Sequence, residues 1–73
     1  MENVLEHVNE SQLTVIRNRR DMMLRDTDWT QFSDSPLPDD KRQEFAQYRQ
    51  SLRDVPSNYM STGEINWPTK PEI

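Results

Sequence analysis

Residues 3–26 read NVLEHVNESQLTVIRNRRDMMLRD, and this stretch decides the fold. Neither Gly nor Pro interrupts it. Val4, Val8, Val15 and Met22 recur at steps of four and seven, and Leu5, Leu13, Ile16, Met23 and Leu24 widen the stripe. That is the pattern of an amphipathic helix, and it predicts one helix over 3–26. Gln12 falls where the stripe should be apolar, and Arg20 sits on its edge. Glu2, Glu6 and Glu10 come early and Arg17, Arg19, Arg20 and Arg25 late, an order that suits the helix dipole. Such a helix is about 35 Å long at 1.5 Å per residue. A short partner helix cannot cover all of it, so its N-terminal half is expected to pack on something else or to fray in solution.

Outward from this helix, residues 27–39 form a connection. Thr27-Asp28-Trp29-Thr30 ends the helical pattern, and Asp34, Ser35, Pro36 and Pro38 are turn and breaker residues. Five acids and no base fall between residues 26 and 40. Trp29, Phe32 and Leu37 are out of place in a solvated loop, so they are expected to fold back onto the helices. About thirteen residues is long for a plain hairpin connection, which predicts a structured loop.

The second helix is predicted over 40–54. Asp39 or Asp40 can cap it, and Asp40 with Gln43 makes a capping-box pattern. Phe45, Tyr48, Leu52 and Val55 then share one face, and Pro56 is expected to stop the helix. Residues 56–73 contain Pro56, Pro68 and Pro71 and show no helical period, so an extended tail is predicted. Its Tyr59, Met60, Ile65 and Trp67 mark either a docking strip or a surface laid back over the helices. The expected architecture is one small all-α domain, residues 1–73. It is a two-helix hairpin with a structured Asp-Trp-Thr connection and an extended, Pro-containing C-terminal tail.

Composition limits what such a chain can do. Of its 73 residues, 32% are apolar and 30% charged, with no cysteine to staple a small core. Scaffolds of this size lean on an oligomer or a partner. The formal charge of −4 opposes nucleic acid as a main partner, and no apolar run is long enough to cross a membrane. The start carries no secretory pattern, so cytoplasmic synthesis is expected. His7 is the only histidine, which leaves no metal site and implies no cofactor. The acid pairs Asp26/Asp28 and Asp39/Asp40 read as helix ends and caps, because a chain this short cannot enclose a hydrolytic cleft. No catalytic residue is assigned, and the chain is read as a non-enzyme.

Candidate partner contacts are Val8, Val15, Trp29, Arg49, Arg53, Tyr59, Ile65 and Trp67. Tryptophan is enriched at interface hot spots and in small cores alike, so Trp29 is also expected between the helices. Arg49 and Arg53, four residues apart, can reach acids in the loop or on a partner. Ile16, Met23, Phe45, Tyr48 and Leu52 are the predicted core.

Several spaced elements carry a resemblance. Arg17, Arg20, Asp21 and Leu24 form R-x-x-R-D-x-x-L, followed by T-D-W-T at Thr27, Asp28, Trp29 and Thr30. Asp34, Pro36 and Leu37 give D-x-P-L, and Tyr48, Arg49, Leu52, Arg53 and Asp54 give Y-R-x-x-L-R-D, with Trp67-Pro68 near the end. In this order they resemble the phage tail assembly chaperone family, over roughly residues 14–71. The resemblance implies a two-helix unit turning at Asp-Trp-Thr. It also implies a non-catalytic role in folding, trimerising or capping tail fibre proteins. The expected partner is a tail fibre or neighbouring tail protein, with a homo-oligomer (a trimer if fibre-bound) also open. The expected place is the host cytoplasm during phage assembly, with retention in the virion tail open. A structural virion subunit and an inhibitor of a host protein are the rival readings.

Overall fold

The computed structural model describes residues 9–73. Asn9 is extended (φ −89°, ψ 118°), and its side chain accepts the Gln12 N–H at 3.1 Å. This N-cap satisfies one of the open donors of a helix start. Helix α1 therefore begins at Glu10 and runs Glu10–Thr27, 18 residues. One unbroken helix over 3–26 is corrected on this point, because the Asn9 backbone turns out of helical geometry to let its side chain cap. The expectations for residues 3–8, Val8 and His7 among them, lie outside the described residues.

The connection starts as a continuation. A 3-10 turn, Asp28–Gln31, follows α1 directly. Thr27 folds its hydroxyl back to the carbonyls of Met23 (3.1 Å) and Leu24 (3.3 Å), and the Thr30 hydroxyl donates to Thr27 C=O at 2.6 Å. Both threonines are buried, which ties the turn to the helix end. Phe32 then turns extended, and its carbonyl accepts the Ser35 N–H at 3.0 Å.

Helix α2 spans Asp39–Thr62, 24 residues, eight residues beyond the predicted end at 54. Pro56 lies inside it and is buried. A proline inside a helix costs about 3 kcal/mol locally. Packing offsets that cost: Val55 and Tyr59, on either side, join Leu13 and Ile16 of α1 in one buried cluster. The helix ends instead at Gly63, whose φ of 76° is the left-handed region, with its N–H on Tyr59 C=O at 2.8 Å. The tail thus begins near residue 64 rather than 56. At the other end Pro38 is the N-cap, so Asp39 and Asp40 do not cap the helix. They occupy its first turn, where their charge favours the positive dipole end.

The chain is an all-α hairpin with two core clusters. Leu13, Ile16, Val55 and Tyr59 form one, at the start of α1 and the end of α2. Phe45, Tyr48 and Leu52 form the other, nearer the connection, with Met23, Leu24 and Leu37 packed against it. Two helices leave each cluster open on one side. The tail covers both, since Trp67 packs against each cluster.

Candidate interaction surfaces

Arg49 ties α2 to the end of α1 and to the turn that follows it. Its guanidinium donates to Leu24 C=O (2.6 Å), to the Thr27 hydroxyl (3.0 Å) and to Asp28 (2.8 Å). Leu24 lies in the last turn of α1, where carbonyls lack helical partners, so Arg49 closes that helix end from α2. Arg49 is only 9% exposed. Of the two partners expected for it, loop acids or acids on a partner, the fold supplies the loop acid Asp28, and three of its five N–H donors are held within the chain. Tyr59, too, is turned inward. It is buried, accepts the Asn9 N–H at 3.2 Å and donates to Gln12 at 3.2 Å. Gln12, the polar break in the helical stripe, is thereby explained as the partner of a buried phenol.

Helix α1 divides its apolar residues between two faces. Neighbouring residues on a helix differ by about 100°. Leu13, Ile16 and Met23 face the core, whereas Val15 and Met22 are 64% and 63% exposed. Met22 was not among the residues singled out for binding, although its seven-residue step from Val15 was the available signal. Beside this outer stripe lies an open cleft of about 350 Å³, lined by Arg19, Met22, Met23 and Asp26. The tail borders it. The Arg19 guanidinium sits 4.8 Å from the Trp67 ring, and Lys70 pairs with Asp26 at 3.1 Å.

The connection carries the other exposed apolar residues. Trp29 is 37% exposed, with its ring 6.4 Å from that of Phe45, so it is shared between core and surface. Phe32 is 55% exposed. The expectation that it folds back onto the helices is corrected: its carbonyl is held by Ser35 and Arg42, which leaves the ring outside. Leu37 does fold back, onto the Phe45 cluster.

The remaining candidates take different places. Ile16, Phe45, Tyr48 and Leu52 are buried, and Met23 is half-buried against them. Ile65 and Trp67 are half-buried in the tail. Arg53 is exposed and reaches only Gln50, at 3.5 Å. Burial pushes the Tyr48 phenol above its usual pKa, with Lys70 drawing it down and Asp26 pushing it up.

Among the described residues no cluster of His, Cys, Asp and Glu has the geometry to hold a metal ion. None of the described helices is long and apolar enough to cross a membrane. The surfaces offer apolar and aromatic contact framed by charge, which is the chemistry of protein association. A family model described as phage tail assembly chaperone protein matches residues 13–72, from the first core residue of α1 almost to the end of the tail. No curated protein and no solved structure matches the chain.

Proposed function

We propose, from the premise that this chain belongs to the phage tail assembly chaperone family, that it binds a tail fibre or a neighbouring tail protein and shields it during assembly. The observation that carries this reading is the outer stripe of α1. Val15 and Met22 stand exposed one heptad apart on a helix whose other face is already packed. A chaperone of this kind covers apolar surface on its client until the client meets its own partners. An exposed helical stripe does that by laying into a groove or against another helix. Methionine suits such a contact, because its flexible side chain adapts to irregular surfaces. Arg53 and the half-buried Trp67 and Ile65 are assigned supporting roles. Arg53 supplies a rim charge, Trp67 braces Arg19 of the neighbouring cleft, and Ile65 packs on the Leu13 cluster.

Co-purification with the tail fibre protein of the same phage tests the reading. The Val15→Ser/Met22→Ser double variant should bind at least about tenfold more weakly, a loss of roughly 1.4 kcal/mol. Both side chains are exposed, so its thermal midpoint should stay close to that of the unaltered chain. Undiminished recovery of the fibre protein would remove the stripe from the interface.

A further inference from the structure

The connection between the helices has the build of a contact site in its own right. Trp29 and Phe32 lie three residues apart across the 3-10 turn, a spacing that places side chains on one side of such a turn. Both are exposed, and the backbone beneath them is fixed from α2. Arg42 donates to Phe32 C=O at 3.1 Å, and the Gln31 amide donates to Arg42 C=O at 3.1 Å. Thr30 and Arg49 anchor the other side. Aromatic rings held on a rigid base lose little entropy on binding, which is what hot-spot residues require.

The surrounding charge is mostly acidic. Residues 28–40 contain Asp28, Asp34, Asp39 and Asp40 and neither Lys nor Arg. Arg49 neutralises Asp28. Asp34, Asp39 and Asp40 are exposed and make no ion pair among the described residues. Lys41 pairs with Glu44 at 3.1 Å, and Arg42, half-buried with its terminal nitrogen on the Phe32 carbonyl, is the one positive group at the tip among the described residues that no carboxylate offsets. Three carboxylates against the one Arg42 guanidinium leave the tip net acidic, which favours a cation beside an apolar group.

We infer that this acidic aromatic tip, Trp29 and Phe32 framed by Asp34, Asp39 and Asp40, is a second docking surface that takes a Lys- or Arg-bearing segment of the client tail protein. The inference rests on the proposed chaperone reading for its client, but not on the α1 stripe. A basic side chain over either ring gains a cation–π contact, and the three free carboxylates steer it there. The tip and the stripe together give two-point attachment, in which the second contact forms at high effective concentration.

Binding of the full chain to the tail fibre protein of the same phage, measured at rising salt, tests this. The expected results are a loss of tenfold or more in Phe32→Ala and a flatter salt dependence in Asp34→Asn/Asp39→Asn/Asp40→Asn. Thermal melts of both variants control for folding, and the charge variant leaves the core untouched. Binding by Phe32→Ala within twofold of the unaltered chain, or an unchanged salt slope in the charge variant, would overturn the tip. So would loss of self-association without loss of fibre binding in Phe32→Ala, which would assign the tip to a second copy of this chain. If Val15→Ser/Met22→Ser fails to bind while both tip variants bind normally, only the stripe survives. If the unaltered chain does not bind the fibre protein, both readings fall.

Discussion

The connection and the C-terminal tail look alike in sequence and are held in opposite ways. Each is irregular, each contains prolines, and each carries a tryptophan. The connection is held by polar contacts: buried Thr27 and Thr30, the Arg49 guanidinium, and the Arg42 and Gln31 bonds. Phe32 is then free to face outward, and Trp29 keeps one edge exposed while the other meets Phe45. The tail has few such bonds. It is held by Trp67 against both core clusters, with Arg19 over the ring and one exposed ion pair at Lys70. The contrast teaches that an irregular segment fixed by hydrogen bonds can offer its apolar side chains to others, whereas one fixed by apolar contact uses them up.

Two substitutions break the comparison apart, the larger first. Trp67→Ala removes the side chain that both clusters share. Truncating a core tryptophan costs about 3–5 kcal/mol, and the half-buried ring places this variant nearer about 2–3 kcal/mol. For a domain of this size that lowers the melting midpoint by roughly 10–20 °C. Proteolytic cleavage within residues 64–73 should quicken while the amides of the Thr27–Thr30 turn keep their protection from hydrogen exchange. Arg49→Met should do the reverse. It removes the charge-assisted bonds to Leu24 and Thr27 at a cost of about 2 kcal/mol, discounted because Asp28 is half-exposed and can be rehydrated. Exchange should then rise in the connection and leave the tail's resistance to proteolysis as it was. Equal loosening of both segments in either variant would mean they form one unit rather than two.

How much of this was legible in the sequence depended on periodicity. The hairpin and its Phe45, Tyr48 and Leu52 face follow from helical spacing, which survives in any environment. The end of α2 did not, because a proline is a local signal, and what overrides it is contact between Tyr59 and a helix 47 residues earlier. The start of α1 was missed for a different reason. Asn9 lies inside an apparently continuous stripe, and only its backbone turn reveals it as a cap. The directions of Trp29, Phe32 and Trp67 had no periodic signal at all. They are set by contacts from elsewhere in the fold: Phe45 beside Trp29, the Arg42 guanidinium on the Phe32 carbonyl, and both core clusters with Arg19 at Trp67. Arg49 was recognised as able to reach the acidic loop, but its bonds to the end of α1 depend on how the hairpin closes, which spacing does not encode.

The smallest expected effect sharpens the comparison by using Tyr48 as a reporter of the tail. Its phenol is pushed above the ordinary value of 10.0 mainly by burial, while Lys70 of the tail draws it down and Asp26 of α1 pushes it up. A phenol whose folded pKa lies above its unfolded one contributes stability that is fully present below about pH 10 and fades as pH rises through the folded value. Stability should therefore fall in alkali, and Tyr48→Phe should flatten that fall while changing little at neutral pH. Lys70→Ala removes the downward pull, so the Tyr48 absorbance titration should move to higher pH. At neutral pH the variant should lose no more than about 1 kcal/mol, since the Lys70–Asp26 pair is exposed and screened by salt. A Tyr48 titration that ignores Lys70→Ala would mean the tail does not stay over α1 in solution. The tail would then not hold Arg19 and Asp26 of the cleft in place, and its contrast with the bonded connection would become one between an ordered and a loose segment.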